Sequence, residues 1–490
     1  MDASLSETHV SIVFFVGERA YKLKKPVRFD FVDQSTLERR HALCEREVEL
    51  NRRLAPDVYE GVATLQGVDG EPEDHLVVMK RLPPDRRLSS LVRRGDPTCP
   101  KAIDDVATIL ASFHAAADRG APIDERATQA AFSALWEANF DQMRHFVGPV
   151  LDGEHVARAQ SLAAAFLAGR APLFDERIAG GFVCDGHGDL LADDIFVLED
   201  GPRIIDCLEF SDELRFADVV ADLAFLAMDL ERIGAVDLAA RLVATYEARS
   251  GAPVPPALLD VWIAYRAQVR SLVACLRWEQ DRDPEAAAQA SDLLAICASH
   301  LDRSAVRLVL VGGLPGTGKS TVASAIGDEL GWPVLRSDVV RKELVGLGGD
   351  AHAPAGFEAG IYRPEQTDRT YDELFRRAER HLEHGRSVVV DASFAADRHR
   401  RAARALGRSA RATVVELRCD LCGDVAAERI RARQAAGVDP SDADEAVAAR
   451  MAAAFDPWPG AISISTAGPA ADSGNAAVEA VARAVLVDAS

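Results

Sequence analysis

The chain is short of positive charge. Its 490 residues carry 56 Lys and Arg against 77 Asp and Glu, a formal net charge of −21. Such a surface repels nucleic-acid phosphates unless a local basic groove compensates, so general nucleic-acid binding is not expected. A small anionic cosubstrate carried with a divalent cation is compatible with it. Also missing is any apolar run approaching the length of a membrane span. Ser11–Val16 is too short for a cleavable leader and charge follows it at once, so no leader is expected. Eight cysteines are scattered along the chain, and the lone C-x-x-C of Cys419 and Cys422 has no second pair to complete a zinc site. Scattered thiols suit a reducing compartment, and a soluble cytoplasmic protein is expected.

What is present is a chain too long for one core, so two or three domains are expected. Its clearest stretch is Gly313, Leu314, Pro315, Gly316, Thr317, Gly318, Lys319 and Ser320, followed by Thr321, which fits G-x-x-x-x-G-K-[ST]. An apolar run, Val306–Val311, precedes it with strand composition, and a helical pattern begins at Val322. Strand, glycine loop and helix together are the context a phosphate-binding loop needs, and a merely flexible turn would have no need of it. The glycines turn backbone N–H groups inward and the helix N-terminus adds its positive end. Lys319 then reaches the β- and γ-phosphates, and Ser320 can ligate Mg²⁺. About 300 residues precede this loop, so another domain is attached, consistent with ordinary domain sizes.

Downstream, an apolar strand ends in Ser337 and Asp338. Strand C-terminal ends line the ligand crevice of an open parallel sheet, so Asp338 could accept a proton from a substrate hydroxyl. Arg341, at D-x-x-R spacing, could clamp a phosphate or orient that base. The strand Ser387–Val390 ends in Asp391, an acid placed to contact Mg²⁺ or its waters. Arg429 and Arg433 lie at i,i+4 on a helix, where they form either a lid over transferring phosphates or a solvated basic face. Together these features resemble the small P-loop kinases, among them gluconate kinase, zeta toxin, chloramphenicol phosphotransferase and the kinase domain of polynucleotide kinase. The resemblance spans roughly residues 306–456.

The first half opens with a hairpin around Gly17-Glu18-Arg19. Lys22 and Lys24 share one face of its second strand, which ordinarily means solvent. A helical run from Ser35 to Leu54 carries Glu45, Glu47 and Glu49, any of which could pair with a strand lysine. A strand at 76–80 and a series of helices follow. Two short apolar strands then each carry an acid at an edge, Asp189 after His187-Gly188 and Asp206 after Ile204-Ile205. Paired carboxylates of this kind suit phosphoryl transfer, one orienting a hydroxyl and the other holding Mg²⁺. Asp218 and Asp222 are read as structural, and Tyr265, Arg266 and Arg270 could line a substrate cleft. His300–Ser304 reads as a short polar link.

His187-Gly188-Asp189-Leu190 followed by Ile205-Asp206 resembles the aminoglycoside phosphotransferase group of kinase-fold enzymes. The resemblance makes Asp189 the catalytic aspartate and Asp206 a metal ligand. It makes Lys22 or Lys24 the nucleotide-phosphate lysine and Glu47 its helix partner. One position departs from the group: the asparagine expected five residues after the catalytic aspartate is Asp194, which can still ligate magnesium but alters the charge of the site.

The expected architecture is an α+β two-lobed kinase-like domain over 1–302, followed by an α/β P-loop domain with a parallel sheet over 303–490. The expected activity is ATP- and Mg²⁺-dependent phosphorylation of a small hydroxylated metabolite, sugar or nucleoside-like. Two alternatives stand beside it: one domain as a non-transferring nucleotide-binding module, or a polynucleotide 5′-hydroxyl kinase in the C-terminal half. The sequence does not fix an oligomeric state.

Overall fold

The computed structural model describes residues 4–7, 10–29, 32–347, 363–436 and 445–484. The chain packs as two units: residues 1–160 with 174–303, and residues 161–173 with 304–490.

The first unit begins with an antiparallel five-stranded sheet, in the order Ser4–Glu7, Ser11–Val16, Arg19–Lys24, Pro72–Lys80, Tyr59–Gln66. The helix Leu37–Asn51 lies against it. The Thr36 hydroxyl caps that helix by accepting from the Arg39 N–H at 3.3 Å, an N-cap whose removal typically costs about 1 kcal/mol. Cys44 and Val48 of the helix pack with Val77 and Met79 of the sheet in one buried cluster. The rest of the unit is mainly helical. Its centre is the helix Val220–Arg232, apolar almost all round and buried from Val220 to Leu230. An all-round apolar helix belongs in a core. The 26-residue helix Pro256–Asp281 packs on it, with Trp262 stacked on Phe132 at 4.0 Å between ring centroids. Two short antiparallel ladders carry the acidic loops: Val183–Asp185 with Phe216–Asp218, and Ile195–Leu198 with Gly201–Ile204.

The units do divide between Arg303 and Ser304, within the stretch that reads as a short polar link. These residues nevertheless close the helix Pro284–Ser304 rather than forming an irregular connection, and His300 is buried between Asp260 and Glu231. Polar residues resemble a linker in sequence when their charges are in fact paired inside the fold.

The second unit holds a parallel five-stranded sheet in the order Val334–Arg336, Val388–Asp391, Arg307–Gly312, Thr413–Asp420, Ile462–Ser465. Both faces of its central strand are apolar. Leu308 and Leu310 pack towards Tyr371 and Leu374, while Val309 and Val311 pack towards Val322 and Ile326. Coverage on both faces is what permits uninterrupted valine and leucine runs in a parallel sheet. The strand register sets Val311 beside Asp391 and Arg336 on its other side, so the strand ends that carry the motifs meet at one edge.

Candidate active sites

In the first unit the two strand lysines point inward. Lys22 Nζ donates to Glu47 Oε1 at 2.9 Å and to Asp206 Oδ1 at 2.6 Å. Lys24 Nζ donates to Glu47 Oε2 at 2.7 Å and also binds Glu209. Glu47 is fully buried and divides its two oxygens between the lysines. Both lysines reach the segment after Ile205, Lys22 at Asp206, whose side chain is 47 % exposed, and Lys24 at Glu209, whose side chain is 10 % exposed. Charges are kept in such a place by pairing. Burial alone would lower the lysines' affinity for protons and raise that of Glu47, but their mutual attraction reverses both trends. The lysines titrate above, and Glu47 below, the ordinary range.

Asp206 sits at φ +65°, a left-handed conformation that costs most residues about 1–2 kcal/mol and that aspartate tolerates best after glycine and asparagine. Its neighbourhood imposes that shape. The Asp206 N–H donates to the Tyr59 hydroxyl at 3.2 Å, the Cys207 N–H to Asn51 Oδ1 at 2.8 Å, and the Ile205 N–H to the Asp194 carbonyl at 3.0 Å. The His187 ring is bonded through Nε2 to the Ile205 carbonyl at 3.1 Å, which ties the two acidic loops together.

The His187-Gly188-Asp189 loop is held from below. Asp222 accepts from the His187 N–H at 2.7 Å and from the Gly188 N–H at 2.9 Å, and His114 Nε2 bonds the same carboxylate at 3.1 Å. One helical face further on, Asp229 accepts from the Ala192 N–H at 2.9 Å. Two acids seven residues apart on an otherwise apolar helix thus fix the ends of the loop. Asp189 and Asp194 feel both burial and the charge of Asp206, and both titrate above the ordinary aspartate range, Asp194 well above it. Three carboxylates that repel one another suit a divalent cation, which would relieve the repulsion.

In the second unit Gly313, Gly316 and Gly318 all have positive φ, and a Cβ on Gly316 would lie 2.6 Å from the Ala426 carbonyl. The loop is therefore closed to side chains and lined by backbone. Leu314 opens the turn through Pro315 and Gly316 that the Thr317 N–H closes, and the Leu314 carbonyl accepts from Lys319 Nζ at 2.8 Å and from the Thr317 hydroxyl at 2.7 Å. Ser320 donates to Asp391 Oδ2 at 2.6 Å, which unites the two residues expected at Mg²⁺. Asp391 is buried, so its carboxyl titrates high despite Lys319, and Arg336 pairs with it at 3.4 Å. Asp338 and Arg341 form an ion pair at 2.8 Å on the helix Ser337–Leu344, and the charge of Asp338 is felt at Asp391. Arg429 donates to the Thr466 carbonyl at 2.9 Å, while the Thr466 hydroxyl donates to the Thr317 carbonyl at 2.8 Å. Thr321 faces outward on the first helical turn. The side chain of Arg433 lies outside the described residues. Among the described residues no three His, Cys, Asp or Glu side chains close into a ready-made metal cage.

Several of these residues carried no usable signal in the sequence. Glu209, the second partner of Lys24, follows Asp206 with no periodicity to mark it. Thr466 and Arg336 are ordinary strand-end residues until the sheet order is known. Asp229 did have a signal, an acid placed seven residues after Asp222 in an apolar helix.

Residues 17–261 match the model described as "Phosphotransferase enzyme family", and residues 308–458 match one described as "AAA domain". Proteins of Mycobacterium tuberculosis (Uncharacterized protein Rv2004c) and Mycobacterium bovis (Uncharacterized protein Mb2027c) are each 42% identical over 463 residues, covering 94% of this chain and 92% of theirs. Among solved structures, a choline/ethanolamine kinase family protein from Mesorhizobium loti is 14% identical over 61% of this chain and 88% of its own, with a TM-score of 0.39. A gluconokinase from Sinorhizobium meliloti 1021 is 21% identical over 37% of this chain and 93% of its own, with a TM-score of 0.26. A two-lobed kinase-like region with an acid-lined site is joined to a P-loop kinase fold, and the chain belongs to the phosphotransferase enzyme family.

Proposed function

We propose that the protein is an ATP-dependent phosphotransferase with two nucleotide sites, acting on the hydroxyl group of a small molecule. The observation that carries the reading is the Lys22 bridge, in which one strand lysine joins the helix carboxylate Glu47 to Asp206 in the loop. That bridge supports Lys22 as the phosphate-contacting lysine and Lys24 as its buried companion. In this reading Asp189 orients the acceptor hydroxyl and takes its proton, and the upward shift of its carboxyl by burial makes it a better base. The hydroxyl oxygen bonds to the γ-phosphorus as the bond to the bridging oxygen breaks, and ADP leaves. Asp206 and Asp194 would hold Mg²⁺, which when bound neutralises phosphate charge.

In the second unit the roles fall to Lys319 for phosphate, Ser320 and Asp391 for the cation, Asp338 for the hydroxyl and Arg341 for orienting it. Arg429 lies against the phosphate loop, as a lid residue would. The contact between Ser320 and Asp391 supports this assignment. A second reading draws on Asp194: with aspartate where the group has asparagine, the first unit would bind nucleotide without transferring phosphate, and the P-loop unit alone would act.

The test is ADP production against a panel of sugars, aminoglycosides and oligonucleotides, with the wild type, Asp189→Asn and Lys319→Ala. Each substitution is expected to remove one part of the turnover, by roughly 10²-fold or more. If neither changes any rate, the two-kinase reading fails. If only Lys319→Ala does, the first unit is a binding module. Activity on oligonucleotide ends would overturn the small-molecule assignment.

A further inference from the structure

The helix Pro256–Asp281 carries two arginines one turn apart, Arg266 and Arg270, and the charge of each acts on the Asp189 carboxyl. Arg266 is 5 % exposed, and its guanidinium lies 4.6 Å from the centre of the Phe225 ring, on the helix whose Asp222 holds the His187-Gly188 backbone. Trp262 and Tyr265 flank it, each at 5.6 Å. These rings hold the cation in place without satisfying its N–H groups, and Arg266 Nε is buried with no hydrogen-bond partner. Among the described residues neither Arg266 nor Arg270 forms a salt bridge.

That is unusual in this unit. Buried arginines with a structural role here are gripped by acids: Arg177 holds Asp218 at 2.6 and 2.8 Å, and Arg215 holds Asp185 at 2.7 Å. Arginine presents five donors in a fixed fork suited to carboxylate or phosphate. A buried guanidinium with an unfilled donor loses hydrogen bonding that a ligand can restore. Both charges are felt at the reacting end of the site. Burial raises the Asp189 carboxyl, and Arg270 and then Arg266 pull it back down.

Resting on the assignment of Asp189 as the acceptor's base, we propose that the acceptor of the first unit is an anion, a hydroxylated carboxylate or phosphate ester whose charged group is received by Arg270 and Arg266. The anion fixes the distance between its own charge and the hydroxyl presented to Asp189, which selects one hydroxyl of a polyol. Neutral or cationic polyols lack the group that completes the arginine pair.

The experiment uses the full chain carrying Lys319→Ala, to silence the P-loop site, with Mg²⁺ and a non-hydrolysable ATP analogue. Calorimetry compares D-gluconate and D-glucose 6-phosphate with D-glucitol, D-glucosamine and kanamycin. At least one anion should bind roughly tenfold or more tightly than the neutral and cationic probes, the gain expected of one charge-assisted hydrogen bond. Arg270→Gln, at a half-buried position, should erase that preference, and Arg270→Lys should restore part of it. Arg266→Gln should act in the same direction, but its burial makes folding a concern, so Arg270 decides. Equal or tighter binding of the cationic probes, an anion preference untouched by Arg270→Gln, or no binding of either anion would overturn the proposal. A failure of the phosphotransfer reading is seen separately, as wild-type ADP production by Asp189→Asn.

Discussion

Two lysines on one strand face ordinarily point to water, and here both are paired inside. The alternation of side chains along Arg19–Lys24 set their common face, but which face was covered depended on the helix bearing Glu47 and on the distant Glu209. The two residues should therefore respond differently to substitution. Lys24→Met leaves Glu47 and Glu209 each short of a buried partner, and about 3–5 kcal/mol of stability should be lost, measurable by urea denaturation. Lys22→Met leaves Glu47 still bonded to Lys24, so its main effect should be on turnover, a fall of roughly 10²-fold in kcat/KM for ATP. A similar loss of both activity and stability in the two variants would contradict this division. At the other site, Gly316→Ala should abolish nucleotide binding, since φ is +78° and the new methyl would press on the Ala426 carbonyl. Fluorescent-nucleotide titration reads that directly. The phosphate loop was legible because its chemistry is local. The lysine network was legible only in part: Glu47 stood among three candidate partners until the resemblance singled it out, while contacts to Asp206 and Glu209, 184 and 185 positions away, left no local mark.

Helices do much of the positioning. Of the two acids read in sequence as structural, Asp218 pairs with Arg177, while Asp222, on the buried helix Val220–Arg232, reaches the backbone of the His187-Gly188-Asp189 loop, as does Asp229 at Ala192. Asp222→Asn puts an amide where two N–H groups now donate. The loop should loosen, with kcat falling by roughly tenfold or more and KM for ATP little changed in steady-state kinetics. The end of Pro284–Ser304 carries a pH-dependent clamp. Burial lowers the affinity of His300 for its proton, but bonds to Asp260 and Glu231, each at 2.7 Å, outweigh it and raise the pKa above the ordinary 6.5. A raised folded pKa means that the stabilisation is complete below about 6.5 and is lost as pH climbs through the folded value. Thermal unfolding followed from pH 6 upward should show declining stability, and His300→Gln should flatten that decline. This same stretch looked like a linker in sequence, because polarity alone does not distinguish solvated charge from paired charge.

At the scale of the whole molecule, two units fold on different plans along one chain. Differential scanning calorimetry should resolve at least two transitions. Saturating ATP with Mg²⁺ should raise both, since a ligand at about 100 times its Kd adds about 2.7 kcal/mol to the state that binds it. Lys319→Ala should cancel the shift of one transition and leave the other. A single transition, or two that both ignore nucleotide, would contradict the presence of two independent sites. The order of motifs made the kinase-like half readable, as strand–loop–helix made the P-loop half readable. Asp194 was visible as a departure, but its setting was not: the carboxylates of Asp189 and Asp206 act on it only when the two short ladders fold together.

The shared carboxylate Glu47 has one more consequence. Because its two oxygens are held by different lysines, Lys22 can exchange partners without leaving Glu47 bare. Lys22 is 13 % exposed and Lys24 1 %. Under the proposed function, trading Asp206 for an incoming phosphate would be a swap among neighbours of like charge, and the helix behind Glu47 would not need to shift to permit it.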